Sequence, residues 1–162
     1  MSKLKEILGA VYRKELNILE KLTPKSANIK DEDGRTLLMH AILAEDADPF
    51  IVKLLIDKGS DVNIHESGER WTSLHFAARD QNEPVVRILL EAGAEADSAD
   101  AFGNTPLWRS ITKSKPGFGV INELIKHGAD PCKKNNNGVA PIDVARKVGR
   151  ADLVALFETK EK

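Results

Sequence analysis

The 162-residue sequence holds a single cysteine, Cys132. No internal disulfide can form, and no C-x-x-C pair exists for redox or zinc chemistry. No apolar run approaches the ~18–20 residues that a membrane-spanning helix needs. The N-terminus, Met-Ser-Lys-Leu-Lys-Glu-Ile-Leu, is amphipathic and carries Glu6. It lacks the apolar block and small-residue cleavage site of a secretory signal. Catalytic signatures are missing too: H-E-x-x-H, G-x-S-x-G and a phosphate-cradling glycine loop are all absent. These absences lead to the expectation of a cytoplasmic, non-enzymatic protein with no cofactor and no metal.

What is present is a unit that recurs. The stretch from Asp100 to Pro131 shows it most clearly. Asp100 and Gly103 mark a tight turn. Thr105 can cap a helix with its hydroxyl, and Pro106 suits the first helical position, where a missing N–H costs nothing. Val120, Ile121, Leu124 and Ile125 form one apolar stripe on a second helix. Gly128 then ends that helix in a left-handed cap. Helix-ending glycines recur at Gly59, Gly93 and Gly128, and capping threonines at Thr36, Thr72 and Thr105. Ala140, followed by Pro141, fills the threonine slot of a fourth copy. One such unit cannot bury its own apolar face, so neighbouring copies must stack.

The wording of the copies resembles the ankyrin repeat family. The matching runs are Gly34-Arg-Thr-Leu-Leu-Met-His-Ala41, Trp71-Thr-Ser-Leu-His-Phe-Ala-Ala78, Gly103-Asn-Thr-Pro-Leu107 and Gly138-Val-Ala-Pro-Ile142. They follow the T-P-L-H-x-A core that recurs about every 33 residues in that family. The resemblance spans roughly Asp31 to Phe157. It implies an all-α solenoid of stacked helix-turn-helix units with short β-turn fingers. The expected organisation is a single domain over residues 1–162. A worn capping repeat covers 1–30, repeats follow at 31–63, 64–97, 98–132 and 133–157, and a polar tail covers 158–162. Leu4, Ile7, Leu8 and Val11 predict a first helix in the worn repeat. Leu16 and Leu19 predict a short second one, with Thr23-Pro24 as its stop.

The departures from the family pattern are local. Only His75 fills the family's histidine slot; Met39, Trp108 and Asp143 replace it elsewhere. His75 is expected to bond the turn backbone and the capping Thr72. Arg70 stands where the second turn should have glycine, which predicts a turn of altered shape. Two extra residues enlarge the turns at Glu45–Pro49 and Lys113–Phe118. His127 precedes a helix-ending glycine, where a cation suits the helix dipole. Cys132 is expected to be buried or half-buried rather than nucleophilic.

Net charge is −1, but it is unevenly spread. Residues 1–30 carry seven basic and three acidic groups, 31–100 carry six and sixteen, and 101–162 carry eleven and six. An acidic middle flanked by basic ends is expected, which disfavours nucleic acid and suits a basic protein partner.

The resemblance implies protein binding through finger tips and first helices. Carried onto this chain, the positions are Glu32, Asp33 and Arg35; Glu69, Arg70, Trp71, Arg79 and Asp80; Phe102, Asn104 and Lys113; and Asn136, Asn137, Val139 and Lys147. The wording Asp100-Ala-Phe-Gly-Asn-Thr-Pro-Leu-Trp-Arg109 and Lys134-Asn-Asn-Asn-Gly-Val-Ala-Pro141 gives a narrower likeness, to small bacterial ankyrin proteins of toxin-immunity type. That likeness implies a cytoplasmic protein, monomeric when unbound, that occludes a basic toxin by stoichiometric binding. The alternative is a regulatory or scaffolding adaptor for another cytoplasmic protein.

Overall fold

The computed structural model describes residues 3–113 and 118–159. They form eleven α-helices: α1 (Lys3–Arg13), α2 (Leu16–Leu19), α3 (Pro24–Ala27), α4 (Leu37–Leu43), α5 (Pro49–Asp57), α6 (Ser73–Arg79), α7 (Glu83–Glu91), α8 (Pro106–Ser110), α9 (Gly119–Lys126), α10 (Pro141–Lys147) and α11 (Ala151–Glu158). A 3-10 turn, Ile111–Lys113, extends α8. The remainder of the enlarged turn expected at Lys113–Phe118 falls on residues 114–117, outside the described residues. Among the described residues the one β-type pairing is an isolated bridge between Lys30 and Thr36. The all-α solenoid is therefore the observed fold.

The helices stack in two layers. In the first, α1 packs on α4, α4 on α6, α6 on α8 and α8 on α10. In the second, α5 packs on α7 and α7 on α9. The core between them is aliphatic: Leu37, Leu38, Ile42, Val52, Leu55, Leu89, Leu107, Ile121 and Leu124 are among its buried members.

The helix boundaries follow from caps. Thr36 and Thr105 accept the N–H of Met39 and Trp108 at 3.3 and 3.2 Å. Where the threonine is Ala140, Asp143 reaches back to accept the Ala140 N–H at 3.0 Å. The second helices end at Gly59, Gly93 and Gly128, with φ near +90°. The residue after each glycine donates back into the last helical turn, as Ala94 does to the Leu89 carbonyl.

Two expectations need correction. Thr23-Pro24 does not simply stop α2. Thr23 caps α3 and exchanges hydrogen bonds with Ser26, because a Thr-Pro pair suits a helix start as well as a stop. Cys132 is exposed rather than buried, in a turn where the Asp130 carboxylate accepts its N–H at 2.7 Å.

Candidate binding cleft

Before each first helix the chain forms a finger, closed by a carboxylate or amide at its base. Asp31 accepts the N–H groups of Asp33 and Arg35. Asp100 does the same for Phe102 and Asn104, and Asn135 for Asn137 and Val139. In these three fingers one backbone bond spans four residues, as from the Asp100 N–H to the Asn104 carbonyl. Glycine takes the left-handed position in each, at Gly34, Gly103 and Gly138.

The second finger is one residue longer. Its backbone bond runs from the Glu66 N–H to the Trp71 carbonyl, and Glu66 serves as the base. The extra methylene of glutamate spans the larger loop, so its carboxylate accepts Gly68 N–H at 2.6 Å and Trp71 N–H at 3.1 Å. Arg70 takes the glycine slot with φ of +60°. The altered turn read from Arg70 is therefore an insertion, with the left-handed residue kept in place. Neighbouring fingers are tied edge to edge: Ser67, Ala101 and Asn136 donate their N–H groups to the carbonyls of Asp33, Glu69 and Phe102.

The buried His75 links this frame together. Its Nδ1 accepts the Thr72 N–H at 3.1 Å and lies 2.9 Å from the Thr72 hydroxyl, and its Nε2 donates to the Asn104 carbonyl of the next finger. Burial pushes its pKa from 6.5 down to about 4. His40 uses its half-buried ring differently, with Nε2 on Asp31 and Nδ1 beside the Tyr12 hydroxyl, both at 2.8 Å. Burial opposes ionisation of Asp31, but the Arg35 N–H and His40 still hold its carboxyl below its usual value. His65 bonds the Ser98 hydroxyl, and His127 bonds the Glu123 carbonyl at its helix end.

Above the second finger lies a cleft of about 440 Å³. Trp71 and Phe76 form its aromatic part, with ring centroids 5.1 Å apart. Three guanidinium groups line it, from Arg35, Arg79 and Arg109, together with Glu66, Gly68 and Glu69. Arg109 lies over the Trp71 ring at 4.6 Å and Arg79 at 5.2 Å, within cation–π range. Arg109 is held by Asp100, whose side chain is fully buried. Arg79 is clamped by Asp80 through two 2.7 Å bonds. Trp71 is only 7% exposed, and its Nε1, like Arg35 Nε, is buried with no hydrogen-bond partner.

Of the positions expected to meet a partner, Arg35, Glu69, Trp71 and Arg79 come together in this cleft. Glu32, Asp33, Arg70, Phe102, Asn136 and Asn137 are exposed along the fingers. Asp80, Lys113 and Lys147 are exposed at the far ends of the first helices, and Val139 is half-buried. Asn104 is buried and both its oxygens are engaged, one by His75 and one by Asn135. Sequence reasoning missed Phe76 and Arg109. Each lies four residues after its capping threonine, the position His40 occupies in the first copy; that offset was the available signal.

The acid excess of residues 31–100 is divided between this face, at Glu32, Asp33, Glu69 and Asp80, and other parts of the surface. The cleft has more guanidinium groups than carboxylates. Glu45, Asp46 and Asp48 sit in the turn between α4 and α5, and Asp57, Glu83 and Glu91 lie on second-layer helices, away from the fingers. Glu66 and Asp100 are buried, their charge spent on backbone N–H groups and Arg109.

A family model for ankyrin repeats (3 copies) matches residues 7–100, and one for a single ankyrin repeat matches 102–136. The ankyrin repeat protein FPV031 of fowlpox virus (strain NVSL) is 26% identical over 93% of this chain and 46% of its own length. Human neurogenic locus notch homolog protein 2 is 28% identical over 79% of this chain and 6% of its own. Serine/threonine-protein kinase 12 of Arabidopsis thaliana is 39% identical over 60% of this chain and 20% of its own. The chain thus spans less than half the length of each of these relatives. No helix among the described residues is long and apolar enough to cross a membrane.

Proposed function

Because the chain belongs to the ankyrin repeat family, we propose that it is a non-enzymatic module that binds another protein through its fingers and first helices. The observation that carries this is the cleft at the second finger. An aromatic pair and three arginines meet beside exposed finger tips. Trp and Arg are the residue types that dominate binding hot spots. An interface of standard size takes about 800 Å² from each partner, which stacked fingers and first helices can supply. The domain organisation proposed is one repeat domain, with residues 1–30 as a worn cap.

The finer reading is a cytoplasmic bacterial immunity protein that neutralises its cognate toxin by stoichiometric binding. Its support is the wording of residues 100–109 and 134–141, together with the excess of acid over residues 31–100, which suits a basic partner. Co-expression with the product of the adjacent gene tests it. Rescue from toxicity and a stable complex are expected; growth arrest despite co-expression, with no complex, contradicts it. A partner recovered elsewhere in the cell would instead favour the adaptor role.

A further inference from the structure

We propose that the cleft beside Trp71 is a carboxylate pocket, built to receive an Asp or Glu side chain projecting from the bound protein. This rests on the protein-binding role proposed above and adds the chemistry of the group that anchors it.

A guanidinium offers five N–H groups and no acceptor, and an indole offers one N–H. Arg79 and Arg109 each direct Nε and Nη2 at their own aspartates, leaving Nη1 without a hydrogen bond. Arg35 reaches only Asp33, at 3.6 Å, and its Nε is unsatisfied. Trp71 Nε1 is unsatisfied as well. On the acceptor side, Glu66 is consumed by its own turn. Glu69 is half exposed and touches Arg109 only at 3.5 Å. The cleft therefore has N–H donors in excess around an aromatic floor, although Asp33, Asp80 and Asp100 already balance the charge of its three guanidiniums. A carboxylate supplies acceptors for the arginine Nη1 groups and matches the fork of an arginine; Arg35 Nε and Trp71 Nε1 are buried, and pairing them requires their side chains to shift. Apolar neighbours in the incoming segment would lie against Trp71 and Phe76. A phosphate would satisfy the donors but would leave those two rings uncovered.

Glu69 is the group an incoming carboxylate must displace from Arg109. Neutralising it should tighten the binding of acid, whereas a pocket for cations would be weakened by the same change.

The test uses the whole chain, nitrogen-15 labelled, and a capped tripeptide of leucine, glutamate and phenylalanine. Its glutamine counterpart and its lysine counterpart serve as comparisons. With two tryptophans in the chain, the Trp71 indole signal is assigned with Trp108→Phe. The acidic peptide is expected to shift the Trp71 indole signal and the arginine Nε signals. The glutamine peptide should bind about tenfold more weakly, the usual loss when a charged acceptor is removed. Arg79→Gln should weaken the acidic peptide, and Glu69→Gln should strengthen it, with the remaining spectrum unchanged. Equal binding of glutamate and glutamine peptides, or no movement of the Trp71 signal, overturns the pocket. Movement caused by the lysine peptide alone also overturns it, while leaving protein binding by this face intact.

Discussion

His75 is neutral in the folded protein because burial outweighs the Asn104 carbonyl and the nearby Asp100, both of which favour its cation. The unfolded chain takes up a proton near pH 6.5, and the folded one only near pH 4. Stability is thus full above about pH 6.5 and falls as pH drops toward 4, by up to about 3 kcal/mol from this residue. Urea denaturation at pH 7 and pH 4.5 should show this loss, and His75→Asn should reduce the difference. At Arg70 the side chain occupies a left-handed backbone, with φ of +60°. Relief of that strain should make Arg70→Gly more stable by about 1 kcal/mol, measured in the same way. The role of His75 was legible from Leu74-His75 beside Thr72. The exposure of Cys132 was not, because nothing in its neighbours distinguishes a turn residue facing water from one facing the core.

Among the elements, the fingers carry the most information. Glu66 sets the size of the second one. Glu66→Asp should lose contact with Gly68 or Trp71 and cost about 1–2 kcal/mol. Deleting Ser67 in that variant restores the four-residue spacing of the other fingers and should recover much of the loss. The third finger depends on Arg109. Its removal, as Arg109→Met, leaves Asp100 buried without its cation and should cost about 3 kcal/mol in chemical denaturation. The helix pairs were readable because Thr, Pro and Gly mark their ends for local reasons. The insertion in the second finger was visible only as a displaced glycine, Gly68, two residues before Arg70. Its compensation by a longer acid depends on backbone bonds that no spacing rule encodes. The same holds for α3, where Thr23-Pro24 fits either the end of one helix or the start of the next.

Across the whole molecule, order along the chain becomes order along the stack, so the charge blocks remain separate in space. The excess acid of residues 31–100 can guide a basic partner from a distance, while the cleft presents arginines at close range. Steering of this kind fades as ionic strength rises, so association should slow with added salt. Asp80→Lys should slow it as well, without unfolding the stack. The stacking itself was legible from periodicity. The cleft was only half legible, since Trp71 and Arg79 were singled out but Phe76 and Arg109 reach them from a neighbouring slot and the next repeat. The central claim is that the finger and first-helix face meets the partner. Two exposed phenylalanines report on it: Phe102 at a finger tip and Phe50 at the start of α5, 50% and 60% exposed. A photo-crosslinking phenylalanine analogue placed at each position, in the presence of the purified partner, gives the most direct measurement. Crosslinking at position 102 with none at position 50 is the predicted result; crosslinking at position 50 alone would contradict the account.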